Sequence, residues 1–265
     1  MASNASQIAM RHLDLTFPSP AENLACDEVL LDWCESGKGV ETLRFWESPE
    51  PCVVVGYANK VATEVNVAAC EARKIPILRR CSGGGTVVQG PGCLNYTLVL
   101  PITKDGPLHS IVVANQFIMR RNRAAIESAG RVTPRAPHDG GQRTARPTNA
   151  IAIRGHTDLA IGGRKFSGNS QRRRKHFLLF HGTFLLNFDL ALIGDLLQMP
   201  SKEPDYRESR NHADFLTNIK VSAEDVKAAM QKAWNAGSQL SNPPLEKIAA
   251  LAWEKYLTNE WNFKF

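Results

Sequence analysis

The stretch Ile75-Pro76-Ile77-Leu78-Arg79-Arg80-Cys81-Ser82-Gly83-Gly84-Gly85-Thr86-Val87-Val88-Gln89-Gly90-Pro91-Gly92-Cys93-Leu94-Asn95-Tyr96-Thr97-Leu98-Val99-Leu100 decides how the chain is read. It divides into a short apolar strand, a paired arginine, three consecutive glycines, a second short strand, a Gly-Pro-Gly turn and a third strand. Three glycines in a row carry no Cβ, so their N–H groups can come close to a ligand and positive φ values carry no steric cost. The two arginines before them supply forked donors with fixed positive charge. Bare amides beside guanidinium groups suit a phosphate or a carboxylate. A hairpin turn with solvated arginines is the plain structural alternative.

Around this stretch the chain alternates helix and strand. Asn23–Glu35 carries Leu24, Val29, Leu30, Trp33 and Cys34 at helical spacing, which predicts an amphipathic helix against a sheet. Thr42–Trp46 and Cys52–Tyr57 are β-rich runs separated by a Ser-Pro-Glu-Pro turn. Glu64–Arg73 and Pro107–Ser128 read as helices, and Pro134–Asn149 as an exposed loop. Farther on, Asp158–Ile161 and Arg164–Ser167 flank Gly162-Gly163, a linker suited to a type I′ hairpin. Alternation along that hairpin lets Asp158 and Lys165 face one cavity. Phe177–Asn187 is a strong strand. Ser222-x-x-Asp225 is a capping box opening a helix to about Trp234, and Asn242-Pro-Pro opens the last helix, with Leu245, Ile248, Leu251 and Ala252 on its apolar face.

Composition sets the outer limits. A chain of 265 residues, 43% of them apolar, can bury one sizeable core. No apolar run approaches the ~18 residues that span a bilayer, and Met1–Arg11 has no apolar core of the kind a secretory signal needs. Six scattered cysteines without a C-x-x-C pair fit buried thiols in a reducing cytoplasm better than disulfides or a zinc site. The net charge of +6 and the isoelectric point near 9.1 favour an anionic partner. Arg120, Arg121 and Arg123, and the run Arg172–Lys175, hold much of that charge. No base-stacking aromatics are interleaved with them, so a nucleic-acid partner is not expected.

Arg79-Arg80-x-Ser82-Gly83-Gly84-Gly85-x-Val87, with Gly92-x-Leu94-Asn95-Tyr96, resembles the signature of the lipoate–protein ligase A family. A second block, Gly163-Arg164-Lys165-x-Ser167-Gly168 followed by His181-Gly182-Thr183-x-Leu185-Leu186, is similar to that family's second signature. A weaker third runs from Glu203-Pro-x-Tyr206-Arg207 to Asn218. The blocks occur in the family's order, and the resemblance covers the chain from about Leu13 onward.

The resemblance implies a single α/β (α+β) catalytic domain over 1–265: a mixed, largely antiparallel sheet flanked by helices, as in biotin ligases and class II aminoacyl-tRNA synthetases. It implies ATP-dependent activation of lipoate or octanoate to an acyl-adenylate, then transfer to a lysine of a lipoyl domain of the 2-oxoacid dehydrogenase E2 or glycine-cleavage H protein type. Lys165 would be the catalytic residue, bridging carboxylate and α-phosphate. Arg80, Ser82, Gly83, Gly84, Gly85, Thr86, Val87 and Val88, with Lys165, would hold the nucleotide, and Asp158 would hold Mg²⁺. In two-domain ligases an accessory domain follows a Trp-Asn-Phe segment. Here Trp261-Asn262-Phe263 is followed by two residues, so that domain is expected to be absent and a separate accessory chain is an alternative.

Octanoyltransferases share the expected fold but form a thioester on a cysteine. One branch places it three residues before the His-Gly pair, where this chain has Leu178. Another places it some eight residues before the Asp-Leu strand, and Ala150–Thr157 contains no cysteine. Acyl transfer from acyl carrier protein through a cysteine is therefore disfavoured. A partner-dependent acyl-binding subunit and a biotin ligase are weaker alternatives.

Overall fold

The computed structural model describes residues 10–130 and 150–265; the loop expected over 134–149 lies outside them. Short strand β1 (Arg11–Asp14) leads into α1 (Pro20–Glu35), then β2 (Thr42–Trp46) and β3 (Cys52–Val55). Next come α2 (Val61–Glu64), α3 (Val67–Ala72), β4 (Ile77–Arg79), β5 (Val87–Gln89), β6 (Cys93–Pro101) and α4 (Ile111–Ser128). After the undescribed stretch follow β7 (Ile151–Arg154), β8 (Asp158–Ile161), β9 (Arg164–Arg173), β10 (Phe177–Leu185), α5 (Ala191–Leu196) and α6 (His212–Phe215). The last elements are α7 (Ala223–Trp234), β11 (Ser238–Gln239), α8 (Leu245–Leu251) and α9 (Asn259–Asn262).

Eight strands form the main sheet in the order β11-β1-β2-β6-β10-β9-β8-β7, antiparallel except for the two pairs that involve β1. Its centre is buried on both faces. Along β6, Leu94, Tyr96, Leu98 and Leu100 pack on the side of α4 and α7, while Val99 packs with α1 and α8 on the other. A strand covered twice reads as a continuous apolar run, as Leu98-Val99-Leu100 does. No helix among the described residues is long and apolar enough to cross a membrane.

The main sheet is the mixed, largely antiparallel sheet expected, and a second, small sheet stands beside it. β3, β4 and β5 form a separate three-stranded sheet, with β3 in the middle, parallel to β4 and antiparallel to β5. So β2 and β3, close in sequence, do not pair, and the second run ends at Val55 rather than Tyr57. The helix expected over Glu64–Arg73 is two short ones. Val65 between them is extended and bridges to Leu197, and Asn66 caps α3 by accepting from the Ala69 N–H. In the last helix Ile248 and Ala252 are buried, but Leu245 is 52% exposed.

The paired arginines fix this second sheet to the rest. Arg79 is fully buried and donates to the carbonyls of Gly56, Tyr57, Asn59, Trp261 and Asn262 at 2.8–3.1 Å. Asn262 Oδ1 in turn accepts from the Arg79 N–H. Arg79 therefore staples the turn after β3 to α9. Arg79→Ala leaves those carbonyls without a partner inside the protein and opens a cavity, and is expected to cost about 3 kcal/mol or more. Denaturant unfolding checks this, and a loss under about 1 kcal/mol would show that the staple is redundant.

Candidate active site

A cavity of about 810 Å³ lies between the glycine loop, the β8–β9 hairpin and the segment 200–216. That volume suits a small-molecule site. Its wall includes apolar Trp46, Val54, Val88, Leu185, Ile193 and Phe215, with polar Asn95, Asp158, Lys165, His181 and Thr183 among them.

The hairpin forms as its sequence dictates. Gly162 (φ 58°) and Gly163 (φ 76°) both sit in the left-handed region, the conformation a type I′ turn demands at both central positions. A register shift at Leu159/Ala160 re-aims the strands. The result joins the two residues singled out in the sequence: Lys165 Nζ lies 2.8 Å from Asp158 Oδ1, both side chains lining the cavity. Gly168 makes room for this pair, because a Cβ there would stand 2.7 Å from Lys165 Nζ and 2.8 Å from its Cε. The other Asp158 oxygen accepts from the Tyr206 hydroxyl at 2.8 Å. Burial first, and then the Asp158 charge, push the Tyr206 phenol above its ordinary value, so it stays a proton donor.

Tyr206 stands in the third and weakest of the sequence blocks, and its contact shows why it matters. It is held in turn by Arg210, which donates to the Tyr206 carbonyl at 2.7 Å and to the Gly163 carbonyl at 3.2 Å. The hairpin, its carboxylate and the facing segment are thus one hydrogen-bonded unit. We expect Tyr206→Phe to lower turnover about threefold to tenfold, the effect of a hydrogen bond worth about 0.5–1.5 kcal/mol, with KM for the acyl substrate little changed. A stopped assay at saturating substrate checks this; unchanged turnover would show that Asp158 is held without Tyr206.

The glycine loop differs from expectation in one respect. Gly84, Gly85, Thr86, Val87 and Val88 line the cavity, and Gly83, Gly84 and Gly85 are exposed. Gly84 has φ 86°, and a Cβ on Gly56 would stand 2.0 Å from its carbonyl oxygen, so the loop packs against a second glycine. Arg80, however, offers little to a ligand. It is buried, its Nη2 donates to the Gly83 and Gly85 carbonyls at 2.6 and 2.7 Å, Nη1 to Val54 at 3.3 Å, and Nε to Ser82 Oγ at 3.1 Å. It borders the cavity but acts mainly as the clasp of the loop. Ser82 is also turned inward: it is fully buried and its hydroxyl lies 2.6 Å from His181 Nε2.

That contact continues into a relay the sequence reading missed. His181 Nδ1 lies 3.1 Å from Asp27 Oδ2, and Asp27 Oδ1 is 2.6 Å from Arg44 Nη1. Burial would raise the Asp27 carboxyl, but the hydrogen bond from His181 and the charge of Arg44 outweigh it and hold it below the ordinary range. With Asp27 ionised, its carboxylate accepts from Nδ1 of the ring, and the Ser82 hydroxyl meets the other ring nitrogen. The order Ser–His–Asp resembles a hydrolase relay. Here Ser82 does not reach the cavity and its oxygen already accepts from Arg80, so the relay braces the loop from beneath. Its signal in the sequence is Asn23 and Asp27, two polar residues four apart on a helix whose inward side is buried.

The basic run Arg172–Lys175 is not one charged face. Arg173 donates to the Leu108 and His109 carbonyls, and Arg174 pairs with Asp32 at 2.9 Å and Glu28 at 3.7 Å. Of these four side chains, only Arg174 has a carboxylate partner among the described residues. All six cysteines are buried, and none lines the cavity. Burial pushes the thiols of Cys26, Cys34, Cys52 and Cys81 up to about 12, and raises those of Cys70 and Cys93. All six are therefore protonated at neutral pH.

Among the described residues no group of three or more His, Cys, Asp or Glu is placed to hold a metal ion. Asp158 is a single carboxylate, both of whose oxygens have partners. Mg²⁺ commonly takes one or two carboxylates and completes its shell with phosphate oxygens and water. As a lone carboxylate Asp158 could serve such an ion only with most of the shell supplied from outside the protein, and with Lys165 and Tyr206 already on its two oxygens.

Comparison with known proteins agrees with this architecture. The model of the lipoyl protein ligase A/B catalytic domain matches residues 19–235. The octanoyltransferase LipM of Geobacillus kaustophilus (strain HTA426) is 28% identical over 272 residues, covering 96% of this chain and 98% of its own. The LipM of Bacillus subtilis (strain 168) is 26% identical over 275 residues, with the same coverage. Among solved structures, the bi-partite lipoate protein ligase of Thermoplasma acidophilum superposes with a TM-score of 0.74 at 21% identity, covering 96% of each chain. A lipoate-protein ligase A bound with ATP gives 0.70 at 24% identity, covering 97% of this chain and 99% of that one. The two structures share the fold, and with the family model over most of its length, the chain belongs to the lipoyl protein ligase A/B catalytic domain family.

Proposed function

We propose that this chain is a lipoate–protein ligase that activates octanoate or lipoate with ATP and transfers the acyl group to a lysine of a lipoyl-domain protein. One observation carries the reading: the cavity holds a fixed ammonium, Lys165 against Asp158, and no thiol. In the first step a carboxylate oxygen attacks the α-phosphorus, the bond to the β-phosphate oxygen breaks, and pyrophosphate leaves. In the second, the acceptor amine attacks the acyl carbon, the acyl–phosphate bond breaks, and AMP leaves as the amine gives up a proton. Negative charge gathers on oxygens beside the reacting atom in both steps, where a preorganised ammonium stabilises it. The exposed amides of Gly83–Gly85 suit the phosphates. Mg²⁺, when bound at Asp158, would neutralise phosphate charge. The apolar wall around Trp46, Val54 and Leu185 suits the acyl chain.

The names of the curated relatives favour a second reading, octanoyl transfer from a ready-made thioester. Without a cysteine in the cavity, that transfer would be direct: the acceptor amine attacks the thioester carbon, Lys165 steadies the oxyanion, and the carrier thiol leaves. One experiment separates the two. The chain is mixed with an unmodified lipoyl domain and given either octanoate, ATP and Mg²⁺, or octanoyl–acyl carrier protein without ATP, and both products are followed by mass spectrometry. The ligase reading expects acyl-adenylate and acylated domain in the first mixture only. Acylation in the second alone replaces it by direct transfer. Because every thiol is buried, iodoacetamide should leave the productive reaction within twofold, and an acyl-thioester trapped on this chain overturns both readings.

A further inference from the structure

Beside the glycine loop, on its outer side, lies a cluster of rings and cations that the cavity does not use. Tyr57, whose N–H donates to the Ser82 carbonyl at 2.9 Å, is tied to the base of the loop. Its ring has the Arg172 guanidinium 5.5 Å and the Lys264 ammonium 3.9 Å from its centre. Lys264 also lies 4.4 Å from the ring of Trp261 and 4.8 Å from that of Phe265. Cations over ring faces are held in place by the ring quadrupole. The platform is rigid, because the Trp261 and Asn262 carbonyls accept from buried Arg79.

Two properties mark this cluster. Arg174 and Lys255 nearby are paired with Asp32 and Glu28, whereas neither Arg172 nor Lys264 has a carboxylate within ion-pairing distance among the described residues. The Tyr57 phenol is itself pulled below its ordinary value by Lys264, which bonds it, and by Arg172. Positive charge is thus concentrated and uncompensated at one point. That point adjoins the cavity mouth: Gly168 and Ser170 of β9 line the cavity, and Arg172 is the next residue in the same row of the strand. Ser170 Oγ donates to the Gly83 carbonyl at 2.8 Å, which fixes the row against the loop.

We propose that Tyr57, Arg172 and Lys264 form the docking patch for a carboxylate-bearing surface of the acceptor protein, placed so that its target lysine enters the cavity past the glycine loop. This rests on the acyl-transfer reading above. A protein suits the patch better than a nucleic acid. The Tyr57 ring is already faced by two cations, and Tyr57, Trp261 and Phe265 meet one another tilted or edge-on (55° and 73°) rather than as an open stacking ledge. Complementary charge at the rim of a site acts mainly on encounter and is screened by salt.

The test uses the full chain with Arg172→Glu and Lys264→Glu combined, and an unmodified lipoyl domain of net negative charge as probe. Binding is measured by calorimetry, transfer by mass spectrometry, and activation alone by acyl transfer to hydroxylamine. We expect Kd and KM for the domain to rise at least tenfold, the salt dependence of both to flatten, and the hydroxylamine reaction to stay within twofold. Arg172→Gln with Lys264→Gln, which adds no repulsion, should show a smaller shift in the same direction and guards against a folding defect in the first variant. Unchanged Kd in both variants overturns the patch, as does an equal fall in the hydroxylamine reaction, or a wild-type chain that binds single-stranded DNA more tightly than the domain. A wild-type chain that binds the domain through these residues yet transfers nothing refutes the catalytic reading while leaving the patch intact.

Discussion

Lys165→Ala should lower acyl transfer by at least ~100-fold, the order expected when a preorganised transition-state donor is removed. The structure makes the loss specific. Lys165 places an ammonium in the cavity from beside the turn of the hairpin, and Asp158 and Tyr206 behind it hold it there. Because its side chain is 26% exposed and its one ion pair among the described residues is with Asp158, truncation leaves a half-buried carboxylate that still holds Tyr206 and costs the fold little. The melting temperature should move by only a few degrees while turnover collapses. The measurement is single-turnover acylation of a lipoyl domain, alongside thermal unfolding. If transfer persists within tenfold, Lys165 is a bystander, and the oxyanion must be held by the loop amides instead. If the acceptor reaction falls while acyl activation is intact, Lys165 serves only the second step.

How far the sequence foretells such a site depends on whether the relevant contacts are local. The β8–β9 hairpin was legible because Gly162-Gly163 encodes its own turn, and a two-residue turn fixes which side chains share a face. The glycine loop was legible for the same reason. Pairing in the small sheet was not: β3 skips β2 and takes partners in β4 and β5, well beyond its neighbours in sequence, which no local pattern specifies. The arginine pair shows the limit most clearly. Two adjacent guanidinium groups before a glycine loop suggest anion binding. Yet Arg79 is claimed by carbonyls of residues 261 and 262, and Arg80 by the loop's own carbonyls. The Ser82–His181–Asp27 relay is hidden in the same way, joining residues 99 and 154 positions apart. What remained visible was that polar residues lay where a buried helix face was expected. Asp27 and His181 border the cavity too, but their polar atoms are taken up by one another, Ser82 and Arg44, which is bracing, whereas the proposed chemistry falls to Lys165 and Asp158.

Gly168 offers a sharper trial of that distinction, because it touches Lys165 without contributing any functional group. An alanine Cβ there would stand 2.7 Å from the ammonium nitrogen and 2.8 Å from Cε, well inside contact distance. Both are atoms near the end of a flexible side chain, so the backbone need not move. The lysine must swing away instead, giving up the 2.8 Å contact with Asp158. Gly168→Ala should therefore fold with nearly wild-type stability and lose roughly 10- to 100-fold in transfer, since a displacement of about 1 Å at a reacting group can cost ~100-fold. The loss should fall on turnover rather than on KM for the lipoyl domain, and it should not add to that of Lys165→Ala, because both act through the same ammonium. Equal stability with full activity would mean that Lys165 works from several positions. An unfolded Gly168→Ala protein would mean that β9 cannot give at this point. The decisive result is the double variant: multiplied losses would place the function of Gly168 somewhere other than beside Lys165.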